Sequence, residues 1–99
     1  MDSKATLCPV CGYGLGFLSW DGDSPSDEIC PSCGIQFGYD DAAGGDERAR
    51  EAVYHRWRQQ WIESGLQWWS KGRRSPPPGW NPIEQLSQIG VQVTTPRNG

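Results

Sequence analysis

Cys8-Pro9-Val10-Cys11-Gly12 and Cys30-Pro31-Ser32-Cys33-Gly34 decide how this chain is read. The same C-P-x-C-G frame occurs twice, with 18 residues between Cys11 and Cys30. That spacing is the signature of a four-cysteine zinc site. Two thiolates three positions apart span one edge of a tetrahedron, with Zn–S near ~2.3 Å, and the second pair closes the opposite edge. In each frame proline presets a turn dihedral, and glycine accepts the positive φ where the backbone turns beneath the metal. The expected ligands are Cys8, Cys11, Cys30 and Cys33, holding one structural Zn2+. With all four positions cysteine, no coordination position is left for a catalytic water, and metal binding free energy becomes folding free energy. A redox C-x-x-C would appear once, ahead of a helix. A deaminase-type site would need H-x-E upstream of the cysteines, but the single histidine, His55, lies downstream of both pairs.

The chain around these knuckles needs a staple. It has 99 residues, 35% hydrophobic, with Gly and Pro at 21 positions and 6 Trp carrying much of the apolar bulk. That is one domain with a thin core, in which a metal supplies what aliphatic packing does not. No apolar run reaches membrane-spanning length, and Met1 to Leu7 has no secretory apolar region. A reducing, cytoplasmic compartment is therefore expected, which disfavours structural disulfides.

Outward from the cysteines, the reading is α+β. Residues 5–40 form a zinc ribbon. Its strands are Tyr13 to Leu18 and Ile35 to Tyr39, each alternating behind a knuckle, with Asp21-Gly22 as a turn and 23–27 as polar loop. Asp41 to Gly45 is a linker. Residues 46–65 form a helix capped by Asp46, running from Glu47 to about Ser64. Its apolar stripe is Ala49, Val53, Tyr54, Trp57 and Trp61. Arg56, Gln59, Glu63, Glu51 and His55 lie opposite, and Ile62 falls off the stripe beside Arg58. Gly65 takes the left-handed position after the helix, letting Leu66 fold back onto Trp61. Residues 66–93 form a Trp/Pro-rich strap. Pro76-Pro77-Pro78 must be extended. Asn81-Pro82-Ile83-Glu84 starts a short helix to Ser87, ended by Gly90. Val91 to Val93 is a candidate edge strand, and Thr94 to Gly99 a frayed end.

Charge divides unevenly. Residues 1–47 carry nine acids and one base, and residues 48–99 eight bases and three acids. The halves can neutralise one another within the fold. Alternatively, Asp21, Asp23, Asp27, Glu28, Asp40 and Asp41 form an acidic face for a basic protein partner, with Trp20 or Trp69 as an exposed anchor. The nucleic-acid alternative uses Arg48, Arg50, Arg56, Arg58, Lys71, Arg73 and Arg74 against phosphates. The formal net charge of −3 weighs against it. Asp40-Asp41 also admits an acid–base reading, but no nucleophile or second metal accompanies the pair. A loop and cap role is preferred, and no catalytic residue is assigned.

Cys8-Pro-Val-Cys-Gly-Tyr13, Glu28-Ile-Cys-Pro-Ser-Cys33 and Asp40-Asp41, with Ala49-Arg50-Glu51 and Glu63-Ser64-Gly65, resemble the small bacterial cysteine-rich CPCC family. The resemblance covers roughly residues 7–66. It departs at Val10, where the family carries a further cysteine, so four ligands carry over. Trp68-Trp69-Ser70 and Pro-Pro-Pro-Gly-Trp-Asn-Pro82 look like a distinct bacterial branch. The resemblance implies a cytosolic zinc-binding module without a known enzyme activity, and some such small proteins look like immunity partners of bacterial toxins. The expected function is thus a non-enzymatic protein-interaction module, an immunity or adaptor protein docking a basic toxin or nuclease.

Overall fold

The computed structural model describes residues 6–93, so the expected frayed end at 94–99 lies outside the described residues. Its architecture is α+β: strands β1 (Trp20–Asp21) and β2 (Ser24–Pro25), then helices α1 (Glu47–Glu63) and α2 (Pro82–Ser87). The two strands pair antiparallel, Trp20 with Pro25 and Asp21 with Ser24. Gly22, in the tight connection between them, takes φ 62°, a conformation glycine adopts without a Cβ penalty.

The short ribbon strands expected at 13–18 and 35–39 are not formed. Each knuckle instead has one isolated antiparallel bridge, Leu7 with Gly14 and Ile29 with Gln36. The cause is local. Gly16 and Gly38 take φ 83° and 92°, outside the strand region, so each alternating stretch bends away after one pairing. The regular pairing lies in the segment expected as turn and polar loop.

Both helices follow their end signals. Asp46 accepts a hydrogen bond from Arg48 N at 2.9 Å, and Glu47 lies in the first turn, where a negative charge suits the helix dipole. Gly65 takes φ 107° beyond the C-terminus, and Leu66 N donates back to Trp61 O at 3.0 Å. Asn81 Oδ1 accepts from Ile83 N and Glu84 N, with Pro82 in the first turn of α2. Val91 to Val93 forms no strand; Val91 N donates back to Leu86 O, and Val91 and Val93 pack against the core.

The core is centred on the cysteines. Cys8, Cys11, Cys30, Val10, Ile35, Phe37 and Leu86 are fully buried, and Tyr54, Trp61 and Trp68 nearly so. The inward face of α1 is wider than its apolar stripe. Ile62 packs on the core, and the Arg50 and Arg58 stems are half-buried beside Tyr54. The opposite face, Glu51, His55, Arg56, Gln59 and Glu63, is exposed as expected. An edge-to-face series links Tyr13 to Trp68 (5.5 Å) and Trp68 to Trp80 (5.3 Å), tying the strap to the first knuckle.

Candidate metal centre

The two knuckles are built alike. Gly12 N donates to Cys8 O and Gly34 N to Cys30 O, both at 2.8 Å. Cys8 N donates to Tyr13 O, and Cys30 N to Ile35 O. Leu15 N donates to Thr6 O, and Phe37 N to Glu28 O. The closing glycines have φ 83° and 84°. Repetition of the C-P-x-C-G frame thus becomes repetition of backbone geometry, extending three residues past each glycine.

Facing each other, these knuckles bring four thiols together. Cys11 Sγ lies 3.6 Å from Cys30 Sγ, Cys8 Sγ lies 3.8 Å from Cys33 Sγ, and all four sulfurs fall within 4.8 Å of one another. A tetrahedron with metal–sulfur bonds of ~2.3 Å has edges of about 3.8 Å, so the sulfur cage has the right size for one ion. Burial pushes the Cys8 and Cys33 thiols well up. Burial opposes ionisation of Cys30 too, but hydrogen bonds from Cys11, Cys33 and Cys8 overcome it and pull Cys30 down. A bound cation stabilises every ligand as thiolate. The donor set fits a metal ion.

The rest of the chain covers this cage by hydrogen-bonding its backbone. Arg58 donates from Nε to Val10 O (2.7 Å) and from Nη2 to Pro9 O (2.8 Å). Trp57 Nε1 donates to Cys33 O at 2.9 Å. From α2, Gln85 Nε2 donates to Cys11 O and to Ser32 Oγ, while its Oε1 accepts from Trp80 Nε1 at 2.7 Å. Gln88 Nε2 donates to Gly12 O. From the strap, Trp69 N and Ser70 N donate to Ser32 O and Pro31 O. A Cβ at Gly12 would fall on Gln85 O, and one at Gly34 on the Trp69 ring. Both glycines are therefore required twice, for conformation and for close approach. Gln85, 6% exposed, hydrogen-bonds both knuckles and the Trp80 indole of the strap.

The remaining site candidates divide. Asp21, Asp23, Asp27 and Glu28 are exposed. Asp40 accepts from Gln36 N at 2.8 Å within its own loop. Asp41 corrects the expectation of a surface acid: it is fully buried, and its carboxylate accepts from Gly38 N, Trp20 Nε1 and Tyr54 Oη. Burial and the bond to Asp41 push the Tyr54 phenol well above the ordinary tyrosine range. Trp20 is no exposed anchor, since its indole is tied to Asp41 and its face is covered by Arg50, 3.7 Å above the ring. Trp69 is 51% exposed. Among the basic residues, Arg50 and Arg58 are turned inward onto Asp41 O and the first knuckle. Arg48, Arg56, Lys71, Arg73 and Arg74 are exposed. The carbonyl-capping roles of Arg58, Gln85 and Gln88 have no local sequence signature, because their partners lie 48 to 76 residues away.

Among known proteins, the chain is similar to an uncharacterized protein of Bacillus subtilis (strain 168), YoaQ. The two are 34% identical over 77 residues, covering 67% of this chain and 64% of YoaQ. The chain thus spans less than two thirds of that relative's length. No family model matches the chain, and no solved structure does. Among the described residues no helix is long and apolar enough to cross a membrane.

Proposed function

We propose that this chain is a zinc-stabilised, non-enzymatic protein-interaction module whose acidic edge docks a basic protein partner, as an immunity or adaptor protein does. The observation that carries the reading is the placement of Asp21, Asp23, Asp27 and Glu28. All four are exposed on the segment between the two knuckles, held by the β1–β2 pairing at one end and Cys30 at the other. A charged edge on a metal-stapled support is preorganised and suits fast, selective encounter with an oppositely charged surface.

Zinc is favoured by a buried cage of four thiolates with no non-cysteine ligand. A closed ligand set, together with an Asp40-Asp41 pair already engaged by backbone N–H groups, supports a non-catalytic role. Metal analysis of purified protein is expected to give one zinc per chain; iron in its place would overturn the zinc assignment. Affinity capture of a basic protein is expected to survive Arg56→Ala and to fail for Asp21→Lys/Asp23→Lys. Equal capture by both variants would overturn the docking edge.

One observation favours a second reading: half-exposed Trp69 beside exposed Lys71, Arg73 and Arg74 is a pairing of ring and cations used on single-stranded nucleic acid. A salt-sensitive gel shift abolished by Arg73→Ala/Arg74→Ala would support that reading over the first.

A further inference from the structure

We propose that the surface around Trp69 is an isologous interface between two copies of this chain. Trp69 cannot retract. Its backbone N–H is bonded to Ser32 O at 3.0 Å, and its ring lies directly over Gly34. The exposed ring separates two clefts and lines both. The first, of about 390 Å³, has Ile29, itself 42% exposed, among its apolar lining. It also carries two acids, Asp27 and Glu28, and two bases, Arg73 and Arg74. The second, of about 480 Å³, is lined by Trp57, Trp61 and Trp68. Their indole N–H groups are all bonded internally, to Cys33 O, Gln67 O and Arg74 O. These rings therefore have no N–H left for a polar ligand and offer apolar faces and edges.

The charge pattern selects the occupant. A basic partner entering the first cleft is attracted by Asp27 and Glu28 but meets Arg73 and Arg74. A polyanion meets the reverse conflict. A second copy related by a two-fold axis meets neither, because each acidic pair can face the other copy's basic pair. The same operation sets each protruding ring beside the other copy's recesses, since ridge and recess adjoin on one patch. An isologous interface requires this self-complementarity, and a central tryptophan with flanking arginines is the composition of an interface hot spot. The inference shares Asp27 and Glu28 with the docking edge proposed above but does not rest on it; Asp21 and Asp23, whose reversal tests that edge, line neither cleft.

Sedimentation velocity on the zinc-loaded full chain across the micromolar range tests it. The expected result is a concentration-dependent doubling of the 11.0 kDa mass. Trp69→Ala and Arg73→Glu/Arg74→Glu should each weaken dimerisation by ~tenfold or more. The double charge variant sits in an exposed loop, so it remains decisive if Trp69→Ala fails to fold. Mixing it with Glu28→Arg is expected to restore a dimer that neither variant forms alone. A monomer at every concentration overturns the proposal, as does a dimer indifferent to the arginine reversal. A monomer that binds a dT oligonucleotide overturns it in favour of the nucleic-acid reading.

Discussion

The two halves of the molecule are ordered by different means. Residues 6–41 contain only a two-residue strand pair and two single bridges, yet hold most of the fully buried side chains. Residues 46–93 contain both helices, yet bury few residues completely. In the first half, backbone order comes from knuckle hydrogen bonds and four sulfurs that converge on one point. In the second, local capping sets the helices, but their position depends on acceptors in the first half: Pro9 O, Val10 O, Cys11 O, Gly12 O and Cys33 O. The difference teaches that regular secondary structure and structural dependence run in opposite directions here. The irregular half is the foundation, and the helical half is a cover fitted to its carbonyls.

Breaking the foundation should have the largest effect. Cys11→Ser removes a ligand from a cage whose metal affinity in small domains is worth on the order of 10 kcal/mol. The expected outcome is an unfolded chain that no longer retains metal, read by circular dichroism and metal content. Cutting the connection between the halves comes next. Gln85→Ala leaves Cys11 O, Ser32 Oγ and Trp80 Nε1 without their partner, a loss of about 3 kcal/mol, measured as a reduced urea midpoint with zinc still bound. Gly12→Ala meets both the positive φ and the Gln85 carbonyl and should cost about 2 kcal/mol. Gly14→Ala, with nothing near its Cβ position, should stay within about 0.5 kcal/mol of the parent. Equal effects at the two glycines would show that the cover does not press on the knuckle.

The smallest effect sharpens the link through Asp41. The buried Tyr54 phenol, bonded to Asp41, titrates well above an unfolded tyrosine. The unfolded phenol loses its proton first, near pH ~10. This contribution is complete below that value and fades as pH rises beyond it. In Tyr54→Phe the alkaline decline in stability should be shallower, although the variant starts from a lower value after losing one bond.

What was legible in the sequence was local. Cys8, Cys11, Cys30 and Cys33 announce their cage by spacing, and Asp46, Gly65, Asn81 and Pro82 mark helix ends through groups one to four residues away. The strands at 13–18 and 35–39 were misread because alternation also describes a knuckle exit in which a glycine turns the chain after one pairing. Asp41 reads like the exposed acids because its side-chain donors, Trp20 and Tyr54, lie 21 and 13 residues away. Arg50 and Arg58 carry the charge of surface residues, yet their guanidinium groups satisfy buried-side carbonyls that no periodicity encodes. The reach of the cover onto the knuckles is a tertiary fact, and it decides which polar residues remain free for a partner.

The dependence of cover on foundation is tested most directly by removing the metal. Near-ultraviolet circular dichroism and tryptophan fluorescence report mainly the cover, which holds Trp57, Trp61, Trp68, Trp69 and Trp80, against Trp20 alone in the foundation. Titrating the zinc-loaded protein with a strong chelator should abolish these signals in step with metal loss, in a single transition reversed by added zinc. Tryptophan signals and a urea midpoint unchanged after complete metal removal would contradict it, showing that the helical half holds its own packing without the cage.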